Sequence, residues 1–189
     1  FTLYCIENNL IDNLSNLNLS KLNNIDIMIK GENYSTIYIN GIDYTSDNYD
    51  LYSNIVNDSI SKISCISIIR DKMVKIQRFV SKNSNIVCEG RDIGTVVFPE
   101  AELKFFFKAD LKSRVSRRYL DMKSKNKKIT KRAIKKLIMK RDYKDMNRIV
   151  SPLKRAKDSF LVITTNITMD EQVNFILDKV NKTRKTNDK

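Results

Sequence analysis

The chain of 189 residues contains no histidine, and this absence excludes several kinds of catalysis at once. Serine-hydrolase triads, histidine-ligated zinc and histidine acid–base chemistry all need the missing imidazole. Any chemistry must therefore come from carboxylates, arginine, lysine, hydroxyl groups, cysteine or a bound metal.

Cysteine, glycine and proline are also scarce. Cys5, Cys65 and Cys88 are odd in number, far apart and without any C-x-x-C pair, which excludes a disulfide scaffold and a zinc ribbon. With only 4 Gly and 2 Pro, the sequence is neither low-complexity nor fibrous. No apolar stretch approaches the roughly 18 residues that a membrane-spanning helix needs, and nothing after Phe1 resembles a signal peptide.

Positive charge is concentrated in the second half of the chain. Residues 1–90 carry 8 Lys or Arg and 10 Asp or Glu, whereas residues 91–189 carry 27 and 12. The second half therefore favours an anionic partner, which could be nucleic acid, a membrane surface or a phosphorylated small molecule. Most of the lysines are explained by a solvated surface, so the arginines carry the functional question.

The periodicity of apolar residues predicts an α/β fold. Alternation and the Asn40-Gly41 turn predict a small antiparallel sheet over 25–45. Helical spacing is found over 49–63, 68–80, 110–122 and 170–180, and also from Lys131 onward in a region that Pro152 ends. Short apolar runs that predict buried strands are found at 86–88, 103–107 and 160–163. Strands that alternate with helices indicate a parallel sheet. Thr130 is the expected N-cap of the helix that begins at Lys131, and this helix has Ile134, Leu137 and Ile138 on one face.

A glycine-flanked Arg–Asp pair follows the apolar run at 86–88. Ligands of open α/β sheets bind beyond the carboxyl ends of the strands. Gly90 and Gly94 permit a tight backbone path around the pair. Arg91 could hold a phosphate through two hydrogen bonds, and Asp92 could accept from an amino group. A structural salt bridge at the strand end explains the same residues equally well.

Two further arginine groups are compatible with nucleotide binding. Spacings of four and three place Arg141, Asp145 and Arg148 on one helix face, where they suit a sugar diol and a phosphate or merely form a surface ion pair. The group Arg114, Arg117 and Arg118 lies within a turn and a half of helix, where the three charges repel each other unless an anion such as a triphosphate lies among them. A basic solvated helix is the simpler explanation for that group alone.

Together these residues resemble the bacterial cytidylate kinases, which phosphorylate CMP and dCMP. The segment 89–99 (EGRDIGTVVFP) is very close to a signature of that family. The blocks 114–118 (RVSRR) and 141–148 (RDYKDMNR), the latter followed by Pro152, keep the family's order and spacing. The hairpin at 25–45 and the helices after it resemble the insert that distinguishes these enzymes from adenylate-type kinases.

The resemblance implies a P-loop NTPase fold of the nucleoside monophosphate kinase type, with three layers around a parallel sheet. Residues 1–20 and 81–189 would form the core, with the lid at 110–119, and residues 21–80 would form the insert that binds CMP. The implied reaction transfers the γ-phosphoryl group of ATP to CMP or dCMP, with Mg²⁺ bridging the donor phosphates. A monomeric cytoplasmic enzyme without membrane or nucleic-acid partners is expected.

The resemblance also assigns roles to individual residues. It implies that cytosine is recognised by Ser61, Arg70 and Asp92, and that the acceptor phosphate is bound by Arg91 and Arg148. The pentose hydroxyls would be held by Arg141 and Asp145. The ATP phosphates would be bound by Arg114, Arg117 and Arg118. Ser61 and Arg70 would attract no notice without the family pattern. The resemblance further implies that Arg91, Arg148 and the three lid arginines act catalytically, because phosphoryl transfer needs positive charge more than covalent chemistry.

Two features depart from the family pattern. The chain contains no G-x-x-x-x-G-K-[ST] motif, and it resembles a family member without the N-terminal segment that carries this phosphate loop. Because loss of one preorganised charge donor lowers a rate by about 10²–10³-fold, we expect almost no turnover from these 189 residues alone. The family also has an acidic residue near 162–165, where this chain has Ile163.

Two alternatives stay open at the level of sequence. The lysine-rich run 123–136 fits a basic module that binds single-stranded nucleic acid, although aromatic residues are not interleaved with it as a stacking platform requires. A non-catalytic relative that kept CMP binding and lost ATP binding fits the same motifs.

Overall fold

The computed structural model describes residues 1–11, 19–31, 36–51, 53–82, 85–124 and 128–187. The chain divides into two compact units, Phe1–Cys88 and Glu89–Lys189, and both mix helices with strands. Across the ranges just given, no helix is long and apolar enough to cross a membrane. The predicted mixed α/β class, with one small antiparallel and one small parallel sheet, is confirmed.

The first unit combines an antiparallel sheet with four helices. Its elements are α1 (Thr2–Glu7), α2 (Leu19–Asn23), β1 (Ile27–Lys30), β2 (Thr36–Ile39), β3 (Ile42–Asp43), α3 (Asn54–Ile63) and α4 (Ser67–Ser81). The sheet order β1-β2-β3 confirms the antiparallel sheet predicted from the alternating residues. Asn40 and Gly41 have φ values of 50° and 79°, as expected of a two-residue hairpin turn in which both residues are left-handed.

The core of the first unit joins α1 to the sheet and to α4. Cys5, Leu22, Ile39 and Ile69 are each at most 1% exposed and belong to one apolar cluster. Burial raises the pKa of the Cys5 thiol to about 11, so this cysteine is a packing residue rather than a nucleophile. The division into a kinase core and an insert stays a prediction.

The second unit is built around two parallel strands. Its elements are a π-helical segment (Ile93–Val97), β4 (Phe105–Lys108), α5 (Leu111–Ser124), α6 (Lys131–Asn147), β5 (Phe160–Ile163) and α7 (Met169–Asn187). Phe105 pairs in register with Phe160, and their rings stack with centroids 5.7 Å apart. Phe175 of α7 packs edge-on against Phe105, so α7 lies against this sheet. The parallel pairing predicted from two of the apolar runs is confirmed.

The strand predicted at 86–88 is wrong. Residues 85–89 have no regular secondary structure, and Ile86 and Val87 are 38% and 102% exposed. A strand needs a neighbouring backbone to accept its hydrogen bonds, and none of the described strands pairs with this run. An apolar run by itself cannot supply that neighbour.

The start of α6 agrees with the prediction, and only part of the predicted apolar face of this helix is buried. The Thr130 hydroxyl accepts from the Ala133 amide over 3.2 Å and caps the helix. Ile134 is 1% exposed, but Leu137 is 56% exposed. The apolar stripe of α6 is therefore narrower than the spacing indicated.

Candidate functional site

Arg91 and Asp92 lie directly before a tightly wound segment, Ile93–Val97, at the start of the second unit. The Asp92 carbonyl accepts from the Val96 amide over 2.8 Å and from the Thr95 and Val97 amides over 3.3 Å each. These bonds close the π-helical segment directly after Asp92, which is only 5% exposed. The position of Arg91 and Asp92 is thus fixed by a local turn rather than by the strand that the sequence predicts.

The structure brings two of the predicted blocks together at one carboxylate. Asp145, whose side chain is 12% exposed, accepts from Arg91 Nε at 2.8 Å. Arg141 Nε lies 3.7 Å from the same Oδ2 atom, because residues four apart share one face of α6. Arg91, Arg141 and Asp145 are called the shared-carboxylate cluster below.

The electrostatics of this cluster favour an anion. Partial desolvation lowers the pKa of the Arg141 guanidinium, and the positive charges of Arg91 and Arg118 lower it further. Asp145 and Asp142 act in the opposite direction. Because guanidinium groups stay protonated in proteins, Arg91 and Arg141 remain two cations beside the one carboxylate of Asp145. Such an excess of positive charge suits a phosphate group.

Arg148 does not share the helix face of Arg141 and Asp145, and that part of the prediction is wrong. The helix α6 ends at Asn147, and Arg148 has an extended backbone (φ −67°, ψ 142°). The Leu153 amide donates to the Asp145 carbonyl over 2.7 Å, so the chain folds back over the helix end. Arg148 Nε donates to the Ser151 carbonyl over 2.5 Å.

Two of the three arginines in the predicted lid donate to residues outside α5. Arg114 forms a two-point hydrogen bond with Asp142 of α6, over 2.6 and 2.7 Å, and this bond raises the pKa of Arg114. Arg117 donates to the hydroxyl of Thr164 over 3.2 Å and also to the carbonyl of that residue. The helix α5 is therefore joined to α6 and to the end of β5.

The third lid arginine, Arg118, pairs with Asp121 on its own helix over 2.7 Å. Each of the three guanidiniums thus has a protein partner. The argument that they would repel each other without an anion among them is wrong, because separate acceptors neutralise or bind them. Their assignment to ATP phosphates stays a prediction.

The residues assigned to cytosine are divided between the two units. Ser61 lies on α3, and its side chain is outside the part of the chain that the structure describes. Arg70 lies half-buried on α4. The cytosine role of these two residues, and of Asp92, stays a prediction.

Sequence patterns missed several partners of the site residues. Asp142 stands inside the 141–148 block and could have been suspected as an arginine partner. Thr164 and Lys104 carry no pattern of their own. Lys104 is nevertheless 8% exposed, an unusual burial for lysine.

In the part of the chain that the structure describes, side chains alone do not form a cluster suited to a divalent metal ion. The described residues contain no group of three or more His, Cys, Asp or Glu that could hold an ion. Mg²⁺ keeps several waters and binds through one or two carboxylates together with substrate phosphates. An ion of that kind would be held mainly by phosphate groups of the nucleotide rather than by the described residues.

Comparison with known proteins gives a consistent result. The family described as Cytidylate kinase matches residues 1–182. The cytidylate kinase of Fusobacterium nucleatum is 38% identical over 184 residues, which cover 97% of this chain and 81% of that protein. The cytidylate kinase of Clostridium botulinum strain Okra is 37% identical over 185 residues, covering 96% and 81%. That of Lactobacillus johnsonii is 39% identical over 149 residues, covering 79% and 64%.

The matched region includes the wound Arg91–Asp92 segment, the shared-carboxylate cluster and the lid arginines. The family match and the first two of these relatives each extend over nearly the whole chain. The chain belongs to the cytidylate kinase family of ATP-dependent nucleoside monophosphate kinases.

Proposed function

We propose that the second unit supplies the pentose and acceptor-phosphate contacts for phosphoryl transfer from ATP to CMP or dCMP, giving CDP or dCDP. The single observation that supports this is Asp145, a nearly buried carboxylate that Arg91 and Arg141 approach together. The carboxylate suits pentose hydroxyls, which donate hydrogen bonds, and the surrounding cations suit the phosphate.

The chemistry asked of these residues is positioning and charge. Phosphoryl transfer passes through a state with negative charge spread over the transferred oxygens, and little covalent work falls to the protein. Arg91 and Arg148 would hold the acceptor phosphate, while Arg141 and Asp145 would orient the pentose. The missing histidine is no obstacle, because this reaction does not need an imidazole.

The lid arginines would act on the donor side. Arg114, Arg117 and Arg118 are bonded to protein acceptors, so a triphosphate would have to replace some of these bonds with its own oxygens. Mg²⁺ is proposed to come with ATP, where it neutralises charge on the donor phosphates.

Base recognition is proposed for Ser61, Arg70 and Asp92. The exocyclic amine of cytosine suits a carboxylate, and its carbonyl and ring nitrogen suit Arg and Ser donors. A monomeric cytoplasmic enzyme is part of the same proposal, and it rests on the family resemblance.

A thermal-shift series on the chain tests the proposal. CMP and dCMP should raise the unfolding temperature more than UMP or AMP, with about 2.7 kcal/mol of stabilisation at a ligand concentration 100 times Kd. Asp92→Asn should remove the preference for CMP. Stabilisation by a single-stranded oligonucleotide alone, lost in salt, would contradict the proposal and support the nucleic-acid alternative, for which the comparisons give no support.

A further inference from the structure

Lys104 is a buried cation that the proposed chemistry does not use. Its side chain is 7% exposed, and its ammonium group donates to the Pro99 carbonyl and to Asp158 Oδ2, the latter over 2.5 Å. Asp158 itself is 64% exposed, so it pairs with the ammonium from the surface. Burying an ammonium group is unfavourable unless it is paired and hydrogen-bonded. The position of Lys104 therefore calls for a specific role.

The backbone of Lys104 directly precedes β4 and is hydrogen-bonded to β5. Its carbonyl accepts from the Phe160 amide over 2.8 Å, directly before the β4–β5 ladder begins. The side chain thus starts from a fixed point of the fold.

From that point, the side chain runs beneath the wound segment that follows Asp92. A Cβ atom added to Gly94 would lie 3.3 Å from Lys104 Cδ and 3.4 Å from Cγ, so the methylenes contact the backbone of the segment closely. The ammonium then reaches Pro99, just beyond the end of the segment. The Lys104 side chain therefore contacts the wound segment at Gly94 and also bonds the chain just after it at Pro99.

We propose that Lys104 is a positioning residue, which sets the orientation of Arg91 and Asp92 by fixing the wound segment onto the start of β4. This inference rests on the proposed function in one respect, since Asp92 is taken to recognise cytosine. The segment's own hydrogen bonds determine its winding, and Lys104 determines where the wound segment lies.

The test uses three variants of the full chain. Lys104→Met keeps the methylene contact with Gly94 and removes both ammonium bonds. Asp158→Asn weakens one of them at an exposed position and serves as a milder variant that should still fold. Lys108→Met is the matched control, because Lys108 is an exposed lysine on the same strand.

Two measurements are made on each variant. Amide hydrogen exchange is followed at Val96, which lies within the wound segment. It is also followed at Thr164, whose amide donates to the Lys108 carbonyl at the far end of the β4–β5 ladder. The ratio of CMP to UMP affinity is measured by calorimetry. In Lys104→Met, exchange at Val96 should rise while exchange at Thr164 stays unchanged, and the ratio should fall about 10- to 100-fold.

Each result decides the inference. Asp158→Asn should change the same quantities less, and Lys108→Met should change neither. The inference would be overturned if Lys104→Met changed neither the exchange at Val96 nor the ratio of CMP to UMP affinity. It would also be overturned if exchange became faster at both Val96 and Thr164 while that affinity ratio stayed the same. If Lys104→Met does not fold, Asp158→Asn decides by the same two criteria. If the wild-type chain does not prefer CMP, the proposed function of Asp92 fails, and the exchange at Val96 alone decides the role of Lys104.

Discussion

Arg91 and Asp145, 54 positions apart in the sequence, are joined by a hydrogen bond of 2.8 Å. Each belongs to a different block of the sequence: Arg91 lies just before Asp92 and the wound segment, and Asp145 lies on α6. Because Asp145 is nearly buried and Arg141 lies 3.7 Å from the same oxygen, this carboxylate organises both arginines. The pair therefore marks the point at which the two blocks become one site.

Asp145→Asn should weaken CMP binding by about 10- to 100-fold, the range expected when a charged hydrogen-bond partner is lost. The affinity for dCMP should fall less, because dCMP has one fewer pentose hydroxyl to donate. Calorimetry with both nucleotides measures the two losses. Asp142→Asn is the matched control, since that carboxylate bonds Arg114 instead. An unchanged CMP affinity in folded Asp145→Asn would contradict the assignment.

The bond between Arg114 and Asp142 should couple α5 to α6. A double-mutant cycle with Arg114→Met and Asp142→Asn should give a coupling of about 1 kcal/mol, the upper end for exposed ion pairs, because the geometry is two-point and the side chains are 37% and 25% exposed. Denaturant unfolding measures it. The Arg118–Asp121 pair on one helix is the control and should couple by only a few tenths of a kcal/mol. Equal couplings would show that the two-point geometry adds nothing.

The sequence predicted correctly those features that depend on hydrogen bonds between neighbouring residues. Asn40-Gly41 predicted its turn and Thr130 its cap, because both depend on a few neighbouring residues. The Arg91–Asp92 and 141–148 blocks were recognised by residue type and spacing. Their meeting at Asp145 is a long-range contact, and only the tertiary structure shows it.

The predictions that were wrong or missing concern features that depend on contacts with other parts of the chain. The run at 86–88 is apolar, but its burial in a sheet would need a neighbouring strand, which the pattern of apolar residues does not predict. Arg148 follows Asp145 at helical spacing, but the chain leaves the helix before it to fold back through Leu153. Lys104 was missed because the contacts of a buried lysine come from distant segments.

Acid should weaken the start of α7. Thr168 and Glu171 form a capping box, in which the Glu171 carboxylate accepts from the Thr168 amide over 2.6 Å and the Thr168 hydroxyl accepts from the Glu171 amide. The backbone bond, followed by the bond from the Thr168 hydroxyl, lowers the pKa of Glu171 below its ordinary value of 4.5. The stabilisation is therefore present above pH 4.5 and is lost as the pH falls through the lower, folded-state pKa.

Glu171→Gln should remove this dependence. Wild type should be more stable than the variant near neutral pH, and their unfolding temperatures should converge as the carboxylate protonates. Thermal melts across that pH range measure the difference. Asp170→Asn, in the same first turn, leaves the capping box intact and should not reproduce the convergence. A constant difference between wild type and Glu171→Gln at all pH values would refute the role of the carboxylate.

Gly41→Ala should destabilise the first unit by about 1–2 kcal/mol, the energy of placing a Cβ-bearing residue in the left-handed region. Gly41 has φ +79°, and an added Cβ would meet nothing within 4 Å, so the whole effect comes from the backbone. Asn40→Gly is the comparison, because it keeps left-handed freedom and instead loses the Asn40 bonds to the Asp26 amide and the Tyr4 hydroxyl. Denaturant unfolding followed by tyrosine emission measures both, since 6 of the 8 Tyr lie within residues 1–88 and the chain has no Trp. No loss in Gly41→Ala would mean that the turn tolerates a different backbone geometry.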